Sequence, residues 1–366
     1  MSQHERIAQA MELRERFALA RAAGLRTKEA AESLGVPEGA AVEAHSLAYG
    51  PGAHPGGFTA QALRGPWIDL LKALKSCGPL MALTRNESVV HEKTGVYEKL
   101  SAQGHVGLAL GQDIDLRLFF EQWHAGYAVT EAGKDIAGSL QFFDRHGTAV
   151  HKIFLREASD LAAWRAVIGA HTEPARTHGF EVKVRRDALA GDAVVDVEAF
   201  SHAWGAMTDT HQFFPLLRQF GVERQQALRL VQGQYTHRVA RTAVAEVLHE
   251  AAFDGTPIMV FVGSTGCIQI HTGPVRRVEA MDVHGKRWLN VLDPAFNLHL
   301  REDLIGNCWV VEKPTSDGVV TSMEVFDQDG GLMAMFFGAR KPGQPELQAW
   351  RDILSHLPVV EPVVCA

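Results

Sequence analysis

Hydrophobic positions along this chain switch between two periods. The runs SVVHEKTGVYEKL, HVGLAL, SLQFFDRHG and AVHKIFL alternate at the two-residue spacing of half-buried strands, and they follow one another with no helical stretch between them. Helical patterns stand ahead of such runs and after them, the last being QPELQAWRDILSHL at 344–357. That order predicts antiparallel sheet flanked by helices, an α+β fold, and argues against a doubly wound parallel one.

The pattern is present twice. GPLMALTRNESVVHEKTG at 78–95 aligns with TPIMVFVGSTGCIQIHTG at 256–273, an offset of 178. DIDLRLFFEQ at 113–122 matches AFNLHLREDL at 295–304, and SLQFFDRHG at 139–147 matches SMEVFDQDG at 322–330, at offsets of 182 and 183. Upstream, AGLRTKEAAESLG at 23–35 lines up with FGVERQQALRLVQ at 220–232, an offset of 197, so each copy begins with helices. The expectation is a tandem structural duplication: a first repeat over 1–170, a polar connecting segment over 171–200 and a second repeat over 201–366. Residues 78–160 should then superimpose on 256–343 with a shared strand order.

Composition narrows the function classes. The 366 residues suit two or three domains, and 36 Lys plus Arg against 43 Asp plus Glu give a net charge of -7. No global positive field attracts nucleic acid or an anionic membrane surface. The N-terminal MSQHERIAQAMELRERF lacks the apolar core of a signal peptide, and no apolar run reaches the roughly 18 residues of a membrane span, so a cytoplasmic protein without membrane insertion is expected. Cys77, Cys267, Cys308 and Cys365 are scattered without metal or redox spacing and read as reduced thiols. Histidine, at 18, is the one unusual count, and imidazole is a common ligand of borderline metals and haem iron.

Few motifs survive their plainer readings. RTKEAAESLGVPEGA at 26–40 looks like the first two helices of a helix-turn-helix, but its partner at 223–232 shows no such turn and the acidic balance opposes DNA binding. GSTG at 263–266 lacks the lysine of a phosphate loop and reads as a β-turn. TDTHQFFPLLRQFGVERQQALRLV at 208–231 is more informative. Thr208 or Asp209 can cap a helix there, which places His211 in its first turn beside Phe213, Phe214, Leu216 and Leu217. A histidine flanked by apolar bulk suits an axial ligand of haem iron, whereas a backbone carbonyl would satisfy it as a structural histidine. At the 197-residue offset stands Arg14, so the duplicated scaffold does not demand a histidine, which favours function. Arg117, in the apolar strand DIDLRLFF, has His299 as counterpart; an ion pair within the fold and a ligand contact are equally open. Arg85, Glu87, His91 and Glu92 cluster in the first copy alone, where a solvated hairpin explains them as well as a site does.

RNESVVHEKTGVYE, DLRLFFEQW, MTDTHQFFPLLRQFGVERQQAL, IMVFVGSTGCIQIHTG, LNVLDPAFNLHL and KPTSDGVVTS together carry a resemblance over essentially the whole length. The chain resembles the bacterial hemin-degrading factor or hemin transport protein family (HemS-type) of haem-uptake operons. The resemblance implies a haem b cleft formed largely by the second copy, with His211 as axial iron ligand and Arg117 on the opposite haem face. It implies that Arg224, Lys313 and Arg340 line the propionates, that Phe337 lies in the cleft wall, and that His91 matches a second haem site used by some members. Val319, Phe337 and Ala339 depart from family tyrosine and glutamine positions, which leaves fewer hydrogen bonds for oxygen chemistry. The implied function is haem binding followed by oxidative degradation with an external electron donor, or by delivery to a haem oxygenase; no flavin or nicotinamide fingerprint is present. Non-enzymatic haem trafficking or storage, and a haem-responsive DNA-binding regulator, are the alternatives. An inner-membrane haem ABC transporter is the implied haem source, a haem oxygenase or reductase the implied partner, and the protein a monomer or dimer.

Overall fold

The computed structural model describes residues 2–50, 55–133, 138–182, 192–341 and 343–360. Part of the expected connecting segment, 183–191, lies outside the described residues, as does Cys365. The first half runs through helices α1 (Gln3–Ala22), α2 (Thr27–Ser33) and α3 (Glu38–Ala44), strand β1 (Phe58–Ala62) and helix α4 (Trp67–Ala73). Strands β2 (Leu80–Arg85), β3 (Val89–Gly95), β4 (Leu100–Gln103), β5 (Val106–Leu110), β6 (Asp115–Phe119), β7 (Ala125–Glu131), β8 (Gly138–Phe143) and β9 (Ala149–Phe154) follow, and α5 (Leu161–His171) closes it. The second half repeats the series with α6 (Val197–Gly205), α7 (Phe213–Phe220), α8 (Arg224–Leu230), β10 (Thr236–Val239) and α9 (Ala243–Asp254). Its strands are β11 (Ile258–Gly263), β12 (Cys267–Gly273), β13 (Val278–Val283), β14 (Lys286–Asp293), β15 (Phe296–Arg301), β16 (Ile305–Thr315), β17 (Gly318–Asp327) and β18 (Leu332–Gly338), and α10 (Gln348–Ser355) closes it.

The strands form two nine-stranded antiparallel sheets, ordered β1-β7-β8-β9-β2-β3-β15-β14-β13 and β10-β16-β17-β18-β11-β12-β6-β5-β4. Written this way the two orders correspond strand for strand, which bears out the duplicated α+β fold. The likeness reaches individual turns. Asp144 Oδ1 accepts the backbone N–H of His146 and Thr148, both at 2.9 Å, and Asp327 Oδ1 accepts those of Asp329 (3.0 Å) and Gly331 (2.7 Å). Gly147 and Gly330 take positive φ, 75° and 86°, where these turns bend back, a conformation that costs glycine nothing.

The helical alignment needs correction. Three helices precede the first strand of each copy, so α3 answers α8. Gly35 (φ 69°) ends α2 as Gly221 (φ 64°) ends α7, and the N–H of Val36 reaches Ala31 O as that of Val222 reaches Leu217 O. This anchors an offset of 186, Gly35 against Gly221, in place of 197. The counterpart of His211 is then Leu25, not Arg14, which is buried on α1 with Nε donating to Ala44 O at 2.6 Å. The scaffold still does without a histidine at that place. The helix-turn-helix is now explained as well: both copies have the turn, and α3, the helix that would read DNA, buries Glu38, Gly39, Ala41, Val42, Glu43 and Ala44.

Two compact units can be distinguished: Met1–Arg85 with His91–Val184 and Gly263–Gln269, and Asn86–Val90 with Arg185–Val262 and Ile270–Ala366. Within the first, Phe142 packs with Leu70, Leu71 and Trp164, while its neighbour Phe143 packs with Phe17, Ala30 and Val42. Adjacent strand residues point to opposite faces, and both faces are covered. In the second unit, Val310, Val325 and Phe336 pack with Val247, Leu248, Trp350 and Ile353 of α9 and α10. Trp309, Val311 and Phe326 pack with Phe200, Trp204, Phe213 and Leu228 of α6 to α8. Two-sided burial is why FF and VV pairs interrupt the expected alternation. Among the described residues no helix is long and apolar enough to cross a membrane, and Cys77, Cys267 and Cys308 are free and buried.

Candidate functional site

In the second unit His211 sits on a short helical turn, Thr210–Gln212, that leads into α7. Side chains close that turn. Asp209 Oδ1 accepts the His211 backbone N–H at 2.7 Å, and Gln212 Oε1 accepts those of Thr208 (2.8 Å) and Asp209 (3.3 Å), the capping geometry that Asp-Thr-His-Gln encodes. Ser316 N–H donates to Thr208 O at 2.9 Å and ties the turn to the β16–β17 hairpin. The imidazole Nδ1 lies 2.6 Å from Asp209 Oδ1. The His211 backbone N–H first, and its ring second, hold the Asp209 carboxyl below the usual carboxylate range.

The ring itself is 93% exposed. Phe213, Leu216 and Leu217 turn into the core, so most of the apolar bulk that flanks His211 in sequence packs on the sheet, and Phe214 is left largely exposed. A carboxylate, not a backbone carbonyl, engages the histidine. With Nδ1–H given to Asp209, Nε2 is the nitrogen whose lone pair can ligate a metal.

Behind Phe213 lies a charged cluster. Arg224 donates Nε to Glu324 Oε2 at 2.7 Å and Nη2 to Oε1 at 2.8 Å, and Lys313 Nζ donates to Oε1 at 2.8 Å. Lys313 Nζ is 4.6 Å and Arg224 Cζ 4.9 Å from the Phe213 ring centre, and Arg224 is 5.5 Å from that of Phe214. Burial alone would raise the Glu324 carboxyl, but Arg224 and then Lys313 outweigh it and hold it well below the usual range. Burial pushes the Lys313 ammonium down, opposed by Glu324. Two cations against one anion leave one positive charge in excess.

Residues directly opposite on neighbouring strands share a face. Met335 stands opposite Glu324 and Phe261, and Phe337 opposite Ser322 and Met259. Arg224 Nη2 lies 3.1 Å from Met335 Sδ, and the Phe261 and Phe337 rings are 5.0 Å apart. Met259, Phe261, Met335 and Phe337 are half-buried, whereas Val260 and Phe336 on the other face are fully buried. The unit thus offers a partly open apolar strip next to a cationic cluster. Arg340, just past β18, lies 4.0 Å from Asp317 through Nη1, and its charge also helps hold the Asp209 carboxyl down.

The structure treats the remaining residues differently. Arg117, in the first unit, donates to the Asp115 carboxylate two positions away on β6 and to Leu116 O at 3.3 Å, and is 33% exposed. Its counterpart His299 pairs through Nδ1 with Asn290 Oδ1 at 2.7 Å. His91 is fully buried on β3, and its hairpin is not a solvated one, since Thr84, Ser88 and Lys93 are buried with it. Val319 stands half-buried opposite Pro314, and the Ala339 N–H donates to Pro257 O. Glu324, Asp317, Met259, Phe261 and Met335 were not singled out from sequence. Alternation in TSMEVFD places Ser322, Glu324 and Phe326 on one face, but only the fold shows which cations meet it.

A tandem α+β repeat with an exposed, carboxylate-held imidazole and a cationic apolar strip in its second copy defines a narrow class. The chain belongs to the family described as the haemin-degrading HemS.ChuX domain, which matches it twice, over residues 43–171 and 221–357. The hemin transport protein HmuS of Yersinia pestis is 39% identical over 307 residues, 82% of this chain and 86% of that protein. Holo-PhuS, a heme-binding protein from Pseudomonas aeruginosa, aligns with TM-score 0.85 and 41% identity over 98% of this chain and 100% of that one. ChuS, an E. coli heme oxygenase, aligns with TM-score 0.78 and 36% identity over 90% and 95%.

Proposed function

We propose that this chain binds haem on its second unit, with His211 Nε2 as the axial iron ligand, and either degrades the haem or delivers it to a haem oxygenase. The observation that carries this reading is the His211–Asp209 turn: an exposed imidazole whose Nδ1–H is held by a carboxylate is oriented, fixed in one tautomer and made more basic at Nε2. The half-buried strip of Met259, Phe261, Met335 and Phe337 suits an apolar macrocycle, and the excess charge on Arg224 and Lys313 suits a propionate. Arg340, beside Asp317, is a second cation of the same kind. Bound haem supplies iron and porphyrin for oxygen chemistry with an external electron donor.

Degradation is favoured by the relative described as a heme oxygenase, delivery by the one described as a hemin transport protein. An inner-membrane haem ABC transporter as source and a reductase or haem oxygenase as partner complete the proposal, and the buried free thiols suit a reducing cytoplasm. Titration should saturate at about one haem per chain. Incubation of the complex with a reductase and a peroxide scavenger then separates the two outcomes: a tetrapyrrole or tripyrrole product means degradation, and intact haem means delivery.

Within the same reading Arg117 would tune an iron-bound water, against the plain ion-pair role that Asp115 supports. Under the first, Arg117→Ala raises the midpoint of the acid-to-alkaline spectral transition of the haem complex, because a cation no longer favours bound hydroxide. A fall in melting temperature with an unmoved transition would leave only the ion pair.

A further inference from the structure

We infer that Glu324 is an internal competitor for the ligand's carboxylate and so sets how tightly, and for how long, a carboxylate-bearing porphyrin is held. The inference rests on the haem reading above and assigns Glu324 a part in it.

The cluster's hydrogen bonds can be counted. Glu324 takes Nε and one N–H of Nη2 from Arg224, and one of the three N–H groups of Lys313. Ser322 Oγ adds a weaker contact to Oε1 at 3.3 Å. What remains is the Nη1 edge of Arg224 and two N–H groups of the deeper Lys313, and Arg224 is the most open member, at 14% side-chain exposure against 5% for Lys313 and 0% for Glu324. A ligand carboxylate therefore meets Arg224 first and finds its best bidentate edge already taken. One such carboxylate brings the cluster to neutrality; a second would leave a net negative charge in a desolvated place. The cluster is built to take one.

The first copy shows that the scaffold does not need this arrangement. At the 183-residue offset Glu324 answers Gln141, which is equally buried and donates Nε2 to Ser139 Oγ at 3.1 Å, Ser139 being the counterpart of Ser322. Arg224 answers Glu38, and Met335, opposite Glu324, answers Lys152, opposite Gln141. Glu38 and Lys152 pair at 2.6 Å, a balanced couple with no excess charge. The positions of Arg224 and Met335 thus hold a closed ion pair in the first copy, and that of Lys313 holds Glu131, paired with Arg21 at 2.7 Å, where the second copy has an open cation pair with a competitor. A neutral amide at position 324 is also a substitution this fold already accommodates at its equivalent place.

The test uses the full chain with haem and with haem dimethyl ester, whose carboxylates are capped. Glu324→Gln should tighten haem by about tenfold, chiefly through slower transfer to an excess of a high-affinity haem scavenger, and leave the dimethyl ester unchanged within about twofold. Lys313→Met, which removes the excess charge and keeps Arg224 paired, should weaken haem by a similar factor and again spare the ester; it carries the test alone if Glu324→Gln does not fold. Equal effects on haem and ester, or weaker haem binding in Glu324→Gln, would overturn the inference. Failure of the haem reading itself shows separately, as spectra of both porphyrins that His211→Ala leaves unchanged.

Discussion

His211→Ala should abolish the axial ligation of haem proposed for this histidine and lower haem affinity by at least about 100-fold, with the fold intact. The ring is 93% exposed, and its one hydrogen bond runs to Asp209, two residues away. Removal opens no cavity and leaves the core members Phe213, Leu216 and Leu217 in place, so the folding stability should move by no more than about 0.5 kcal/mol. Asp209→Asn is the graded companion. It keeps a cap for the turn but withdraws the charge that fixes Nδ1–H, and should cost about tenfold in affinity with the ligand itself retained. The visible spectrum and a urea midpoint on each variant give both numbers; a native spectrum in His211→Ala would refute the ligand assignment.

The capped turn that carries His211 was legible because its geometry is local. Asp209, His211 and Gln212 build their turn from four consecutive residues, and such geometry follows from residue types and spacing. The duplicated strands were legible for a related reason: Asp144 and Asp327 head equivalent turns, and those turns keep their glycines. The helices ahead of the strands share little but the Gly-Val steps at Gly35 and Gly221, and there the alignment slipped from 186 to 197. Helical periodicity tolerates such a slip, since a shift of eleven residues is close to three turns and leaves the apolar stripe facing the same way.

Glu324 was not legible, because its meaning is nonlocal. It stands 100 residues from Arg224 and 11 from Lys313, and nothing in TSMEVFD tells a solvated carboxylate from one gripped by two cations. For the same reason the resemblance that lines the propionates with Arg224 and Lys313 says nothing of the carboxylate partner that each already has. The apolar strip was hidden by two-sided burial: Phe336 and Phe337 are adjacent and equally apolar, yet the first is core and the second is half-open surface.

Acidification should expose a second buried group that sequence did not mark, His151 in the first unit, through a loss of stability that begins near pH 6.5. Its imidazole is fully buried. Thr84 Oγ1 donates to Gln269 Oε1 at 2.8 Å, so at 2.9 Å from His151 Nδ1 it accepts that N–H, and Tyr97 O–H donates to Nε2 at 2.7 Å. Cys267 Sγ lies 3.8 Å from Nδ1, and the Trp123 ring centre is 6.1 Å away. No carboxylate is among these partners, and burial keeps the Tyr97 phenol and the Cys267 thiol, pushed up to about 12, in their neutral forms. An imidazolium there would have no counter-charge and would force Tyr97 to turn from donor to acceptor. Burial accordingly lowers His151 to about 3 from the ordinary 6.5. The unfolded chain therefore binds one more proton than the folded one between those values, and stability is complete above pH 6.5 and falls as the pH drops toward 3. The limiting slope is about 1.4 kcal/mol per pH unit, and the whole loss is on the order of 5 kcal/mol. Glu324, whose carboxyl is depressed, adds to the loss only below its ordinary value of 4.5, so the interval from pH 6.5 to 5 isolates the histidines. His178, lowered to about 4, and His237, also lowered, add to the loss of stability in that interval too, so a variant must single out His151. His151→Gln retains a donor for Thr84 and an acceptor for Tyr97 but has no proton to gain. Urea unfolding at pH 7, 6 and 5 should show the parent losing about 2 kcal/mol more than the variant over that range, most of it below pH 6, and parallel curves would show that His151 is already charged in the folded protein.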